Sequence, residues 1–452
     1  MVGRVLGALL AIRMLLLPAT AAENAVVLDI DGAIGPAIAD YVVREIRTVR
    51  PEQTRLIILR MNTPGGLDTS MREIIRAMLS SPVPVATYVA PSGARAASAG
   101  TYISYASAVA AMAPGTNLGA ATPIQLGRIP APGRSPEQPG GKDQGKGSKG
   151  ETDTPAAEPM DTETRKAVND AVAYIRSLAE LNGRNADWAA EAVRSAVSLS
   201  ASEALKLNVI DVIADDVSDL LRKIDGRTVT VARKPERLAT APLEIVTVAP
   251  DWRTELLAVI TNPNVAFILM LVGIYGLVFE FANPGAVAPG LVGAISLIVA
   301  LFALNLLPIN YAGAGLVLLG VGLMLAEAHI GSFGVIGVGG IAAFVIGAII
   351  MFPSGAPGFN LALPVVAAAT VLTAALLLLV LAMLLRSRKR PVVTGKEALV
   401  GAEGEALAWD GEEGRVRVRG EIWRARSSGA LNPGTRVKVI DRDGLVLVVA
   451  PA

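Results

Sequence analysis

RLIILRMNTPGGLDTSMREIIRAML, residues 55–79, decides how the first half of this chain folds. Residues 55–61 are a short apolar, branched run of the kind a strand buried on both faces carries. Asn62-Thr63-Pro64-Gly65-Gly66 then interrupts any regular element. From 67 to 79 the period changes, and Met71, Ile74, Ile75, Met78 and Leu79 fall on one face of a helix. Strand, turn and helix in this order make half of a βαβ unit. The same alternation recurs on both sides: residues 25–30 (AVVLDI) read as a strand, 38–49 as a helix and 83–89 as the next strand. The expectation is an α/β domain with a largely parallel sheet over residues 23–240.

Composition bounds the rest. Among 452 residues, 41 Lys and Arg face 40 Asp and Glu, a net charge of +1 that speaks against a polybasic nucleic-acid binder or an acidic tail. Hydrophobic residues make up 52% and charged residues 18%, with a mean hydropathy of +0.50, so part of the chain belongs in lipid. There is no cysteine, which excludes disulfides, thiolate nucleophiles and Cys-ligated metal sites. Neither a metal nor a cofactor is expected. His329 is the only histidine, so a Ser-His-Asp mechanism would have to use it.

The amino-terminal residues 1–22 pair Arg4 with an apolar run, Pro18 and small residues up to Ala22, the pattern of a cleaved signal peptide. Arg13 inside the run leaves an uncleaved anchor as the alternative. Residues 127–160 hold 13 Gly or Pro among 34 residues and only Ile129 and Met160 as large apolar side chains, which predicts a disordered insertion. Val168, Ala171, Val172, Ile175, Leu178 and Ala179 then repeat at helical spacing, and Ser200-Ala-Ser-Glu203 is a capping box. Between 256 and 385 the only Asp, Glu, Lys, Arg or His residues are Glu280, Glu327 and His329. The run divides into about five bilayer-length helices, 263–282, 287–307, 311–328, 333–352 and 362–385. Pro and Gly residues break the second and leave it open to a re-entrant path. Glu280 and Glu327 lie next to breaks, which favours structural pairing or turn capping over transport. Arg386-Ser-Arg388-Lys389-Arg390 closes the last span and places that end in the cytoplasm. Residues 393–452 carry five short strand runs between glycine turns, as in a small OB-like barrel. Trp409 and Trp423 are too few for a stacking platform, so no nucleic acid is expected as partner.

The chemistry centres on Pro91-Ser-Gly-Ala-Arg-Ala-Ala-Ser98-Ala-Gly100. A serine flanked by Ala and Gly at a strand-to-helix turn is sterically open, and the backbone N–H groups that follow it can point into the same space. Gly65 and Gly66 can bring a second backbone N–H close to a substrate without a Cβ in the way. Each cluster alone also fits plain packing or a bare turn. With His329 far along the chain, a lysine is the remaining base. Lys142, Lys146 and Lys149 lie in the insertion, and Lys206, Lys223 and Lys234 in surface-like segments. Lys166 starts a helix beside an apolar stripe, although an ordinary surface lysine reads the same way.

NTPGG (62–66), RAASAGTYI (95–103), MAPGTNLGAATPI (112–124), KAVNDAVAYIRSLA (166–179) and, more weakly, GEIWRA (420–425) together resemble the NfeD-type membrane serine proteases. These are similar in fold to Clp protease and signal peptide peptidase A. The resemblance implies a Clp-protease/crotonase-like domain, a helical membrane block and a small all-β OB-like domain. It implies Ser98 as nucleophile, Lys166 as general base, and the amides of Gly66 and Ala99 as oxyanion donors, with Gly65 supporting the turn. The long insertion between Ser98 and Lys166 departs from the family pattern. The resemblance further implies cleavage of apolar stretches of membrane-associated proteins, with stomatin-like proteins as substrates, and a homo-oligomer. A multi-pass protein of the cytoplasmic membrane follows, with the Ser98 domain outside and the OB-like domain inside. The rival readings are a crotonase-type acyl-CoA enzyme, which export disfavours, and a non-catalytic membrane scaffold. A transporter would leave more than half the chain without a role.

Overall fold

The computed structural model describes residues 23–123, 162–232, 234–330, 332, 334–352, 357–388 and 399–452. The expected signal peptide of 1–22, the insertion of 127–160, Lys389-Arg390 and the side chain of His329 lie outside the described residues. Two compact units are present, the second made chiefly of residues 374–452.

The centre of the first unit is a six-stranded sheet, parallel throughout. Its strands run in the order Glu244–Val248, Asn24–Asp31, Thr54–Asn62, Val85–Val89, Val109–Met112 and Val212–Ile213. The strand that opened the sequence reading shows why both faces are filled. Ile57, Leu59 and Met61 enter one core and Leu56 and Ile58 the other, because successive side chains of a strand alternate in direction. On the first face lie Pro36–Thr48, Asp68–Ser80, Ala99–Ala106 and Thr162–Leu181, and on the second the short helix Val217–Ile224. The helix Ala201–Lys206 begins on the Ser200–Glu203 capping box.

The sheet runs past the expected limit at residue 240. Glu244–Val248 pairs with the first strand from Asn24↔Glu244 to Leu28↔Val248. Tyr41 donates its hydroxyl proton to the Val248 carbonyl at 2.5 Å. The Asp251 carboxylate then caps Trp252–Ile260, accepting from the Thr254 amide at 3.0 Å, and takes an Arg44 guanidinium at 3.0 Å.

Five apolar helices follow: Pro263–Ala282, Ala288–Leu306, Tyr311–Ile330, Val335–Met351 and Leu363–Arg388. The first two are long and apolar enough to cross a bilayer, and the apolar stretches Tyr311–Glu327, Val335–Met351 and Leu363–Leu376 of the other three are shorter. The second is continuous rather than broken. Pro289 occupies its first turn, where a missing N–H costs nothing, and the glycines serve close packing. A Cβ on Gly276 would stand 2.6 Å from the Pro289 carbonyl oxygen, and one on Gly293 2.9 Å from the Leu277 nitrogen. Glu327 is 1% exposed and accepts from the amides of Gly334 at 2.9 Å and Gly337 at 3.2 Å and from the Ser332 hydroxyl. It thereby caps the start of Val335–Met351. Glu280 accepts a long bond from the Gly285 amide, 3.4 Å, at the turn that follows its own helix.

In the second unit, Glu403–Asp410, Glu413–Val418, Glu421–Arg426, Arg436–Asp443 and Val446–Pro451 close into a barrel in the order first, second, third, fifth, fourth. Ala406, Val416, Val418, Ala425, Val437, Val439, Leu447 and Val449 fill its interior. This is the OB-like barrel that the glycine spacing predicts.

Candidate active site

The carboxyl end of Thr54–Asn62 leads into the site. Thr63, fully buried, bonds to the strand Arg95–Ala97 on both sides: its amide donates to Arg95 O at 2.7 Å, and its carbonyl accepts from the Ala97 amide at 3.1 Å. Its hydroxyl holds the next turn, accepting from the Gly65 amide at 3.0 Å and donating to the Gly65 carbonyl at 3.1 Å. Gly65 has φ +116°, which a side chain would strain. A Cβ there would stand 2.7 Å from Ser98 Cβ and 3.3 Å from Ser98 Oγ. The bare α-carbon of Gly65 is thus the surface against which Ser98 rests.

Gly66 forms a parallel bridge with Ile34, carried by the amides of its neighbours. Ile34 N–H donates to Gly65 O at 2.8 Å and Leu67 N–H to Ile34 O at 2.9 Å. The N–H of Gly66 itself has no acceptor among the described residues. A Cβ on Gly66 would lie 2.1 Å from the Ile34 oxygen, so only glycine fits.

Ser98 stands between Arg95–Ala97 and the helix Ala99–Ala106 with φ 51° and ψ −114°, a left-handed turn unusual for a residue with a Cβ. Its surroundings hold it there. The Ser98 amide donates to Gly119 O at 3.0 Å, and the Thr101 hydroxyl reaches Ala96 O at 3.0 Å and Gly119 O at 2.8 Å. Small residues make this possible: a Cβ on Gly100 would meet Thr63 Cγ2 at 2.7 Å. A serine in the N-cap position ordinarily spends its oxygen on an amide of the first turn. Ser98 does not, and its hydroxyl has no hydrogen-bond partner among the described residues. Ala99 opens the helix, so its N–H has no intrahelical acceptor either.

Ser98, Ala99 and Gly66 line one cavity of about 410 Å³, together with Leu67, Met71 and Tyr102. One rim carries a charge cluster that the sequence reading missed. The Arg72 guanidinium bonds Asp68 and Asp170, each at 2.8 Å, and lies 4.3 Å over the Tyr174 ring. Burial works against its charge, but the two carboxylates outweigh it and hold Arg72 above its ordinary value. An arginine so held can orient a substrate but cannot accept a proton.

Lys166 is the expected base that the structure does not bring to this place. It is the fifth residue of Thr162–Leu181, its side chain is exposed, and it contributes nothing to the cavity wall, whereas Ala171 of the same helix does. No hydrogen bond or ion pair of Lys166 is present among the described residues.

Comparison with known proteins bears on the whole chain. Over 457 aligned residues it is 35% identical to the membrane-bound protease PH1510 of Pyrococcus horikoshii, covering 99% of this chain and 97% of that one. The chain belongs to the NfeD family of membrane-bound proteases. Family models match in three parts: the NfeD1b N-terminal domain over 24–131, the NfeD integral membrane domain over 264–384, and the NfeD-like C-terminal, partner-binding domain over 396–451. The membrane protein NfeD1b of Bacillus subtilis is 26% identical over 71% of this chain and 66% of its own. Among solved structures, the 1510-N membrane protease specific for a stomatin homolog from Pyrococcus horikoshii is 32% identical, covering 53% of this chain and all of that one, with a TM-score of 0.41. The 1510-C domain of the stomatin operon partner protein from the same organism is 43% identical over 13% of this chain and 95% of its own, with a TM-score of 0.13. This NfeD protein is therefore an integral membrane protein homologous to a protease, ending in a β-barrel.

Proposed function

We propose that this chain is a membrane-anchored serine endopeptidase in which Ser98 is the nucleophile. The observation that carries the reading is a serine at a strained strand-to-helix turn whose hydroxyl is left free in a cavity shared with two unengaged amides, those of Gly66 and Ala99. Ser98 Oγ attacks the peptide carbonyl carbon as its proton passes to a base. The carbonyl oxygen becomes an oxyanion that the two N–H groups receive. Collapse breaks the C–N bond, the proton goes to the departing amine, and water then hydrolyses the acyl-enzyme.

Lys166 is our candidate base, on the strength of the family resemblance. Because it stands outside the cavity, the first turns of Thr162–Leu181 must close over Ser98 in the acting form, or a second copy must supply the lysine. The substrates are apolar segments of membrane-associated proteins, stomatin-like proteins among them. The expected leader and Arg386–Arg390 favour an extracytoplasmic Ser98 domain and a cytoplasmic C-terminal domain.

The test is hydrolysis of apolar peptides by the full chain in detergent or nanodiscs, alongside Ser98→Ala and Lys166→Ala. Loss of cleavage in both variants, with a fluorophosphonate labelling wild type and not Ser98→Ala, supports the dyad. Cleavage that survives Ser98→Ala refutes the nucleophile, and survival of Lys166→Ala moves the base elsewhere. A folded wild type that cleaves nothing and takes no label would favour the scaffold reading.

A further inference from the structure

The wall of the Ser98 cavity does not come from the α/β domain alone. Asn305, Leu306, Leu307 and Pro308, at the end of Ala288–Leu306, line it, as does Pro357 before the last helix. Both segments are tied down. The Asn310 amide donates to Met351 O at 2.8 Å, which joins the 307–310 turn to the end of Val335–Met351. The Ala362 amide donates to the Asn264 side chain at 2.8 Å, so the first and last apolar helices begin at this same end of the block. The Phe359 ring lies over Gly35, where a Cβ would be only 2.4 Å from Cζ, and Gly35 adjoins Ile34, the bridge partner of Gly66.

Apart from Asn305, the residues that line the cavity from this direction are apolar. Leu307 is 6% exposed and Leu306 half-buried, while Leu67 and Met71 stand on the α/β side. Leu306 also lines a second cavity of about 740 Å³, where Leu256, Leu257, Ile260 and Phe302 form an apolar wall opposite charged residues of the α/β domain such as Asp40 and Arg76. Leu306 thus stands between the Ser98 cavity and this second one.

We infer that the Asn305–Pro308 turn is a specificity wall of the active site, with Leu306 and Leu307 receiving a large apolar side chain of the substrate next to the scissile bond. The occupant is a peptide segment just leaving the bilayer, because the turn that receives it is itself the end of a membrane helix. A water-soluble polar loop would leave two leucines facing unpaired polar groups and would gain nothing from them. The inference rests on Ser98 being the nucleophile, and it adds that the membrane block selects the substrate as well as anchoring the enzyme.

The experiment uses the full chain in nanodiscs and two peptides that differ only beside the scissile bond, one with leucine and one with alanine. Leu306→Gln is expected to lower the ratio of kcat/KM for the leucine peptide over the alanine peptide about tenfold, the scale of one large apolar side chain in a pocket. Leu306→Trp, which fills the space instead of making it polar, is expected to lower the ratio as well. Ile298→Ala, on a lipid-exposed position of the same helix, is expected to keep it. Fluorophosphonate labelling of each variant reports that Ser98 is still presented. A ratio equal to wild type in both Leu306 variants, with labelling intact, overturns the inference alone. Wild-type cleavage that persists in Ser98→Ala overturns the catalytic reading first, and the inference falls with it.

Discussion

Gly66→Ala tests the geometry of the site most directly. The added Cβ would sit 2.1 Å from the Ile34 oxygen and 2.6 Å from the Ile34 carbon and nitrogen, all backbone atoms that no rotamer change can move. The turn must shift, and the Ile34·Gly66 bridge with its two hydrogen bonds of 2.8 and 2.9 Å opens. Two such bonds contribute about 1 kcal/mol each. The crowding adds about 1–3 kcal/mol. The variant should therefore be less stable by about 3–5 kcal/mol, a fall in Tm on the order of 10 °C for a domain of this size. The same shift moves the Gly66 N–H away from Ser98, and loss of one oxyanion donor lowers kcat about 10²–10³-fold. Thermal unfolding and peptide hydrolysis below the lowered Tm separate the two effects. A variant that melts early yet cleaves at the wild-type rate would show that Gly66 supports the turn without serving the oxyanion. Wild-type behaviour in both assays would refute the packing argument as well.

Arg184 and the groups whose titration folding shifts yield two more expectations. Arg184, 1% exposed in its side chain, donates to the carbonyls of Ser104, Tyr105 and Ser107 at the end of the Ala99–Ala106 helix and to Asp211 at 2.6 Å. Arg184→Leu should cost about 3 kcal/mol, the low end for breaking a buried pair. Arg227 and the Ala110 amide still hold Asp211, which is why the low end applies; urea unfolding that shows no change would refute this. On the acid side, Asp219 is held below the ordinary carboxylate range by Lys223, Asp225 by the amides of Thr240 and Ala241, and Asp251 by the Thr254 hydroxyl and amide. Each therefore adds stability above the ordinary aspartate value near 3.9, and that stability is lost as the pH falls through the depressed folded values. On the alkaline side, burial pushes Tyr41 and Tyr88 up to about 12. Their contribution is complete below the ordinary tyrosine value near 10 and is lost as the pH rises from there through about 12. Unfolding free energy measured across pH 2–12 checks both arms, and flat arms would refute them.

Much of the fold was legible because each element carries one dominant signal. The two-sided core of Thr54–Asn62 shows as the apolar run Leu56–Leu59, and the barrel strands are marked off by glycine turns. Ser98 stood out because only small residues permit its turn, and Ala96, Ala97, Ala99 and Gly100 are small. Glu244–Val248 escaped notice for the opposite reason. It is an edge strand, largely exposed, so its side chains carry no buried face to read. The expectation that Pro and Gly residues break the second span treated proline as disruptive everywhere, although the first helical turn accepts it. The place of Lys166 depends on how one helix lies against another element far off in sequence, which periodicity does not encode. The break after residue 307 was legible, but not that Asn305–Pro308 line the Ser98 cavity, because an apolar composition announces lipid and nothing else.

The pairing of the first strand with the last has a consequence for how this protein is made. Asn24–Asp31 receives its outer neighbour only when Glu244–Val248 has been synthesised, just ahead of Trp252–Ile260 and the first apolar helix. A chain still growing at residue 240 carries Asn24–Asp31 as an open edge, the kind of strand that pairs with a stranger. Contacts so distant in sequence form late. The strand that closes the sheet and the first helix of the membrane block thus fall in the same stretch of chain.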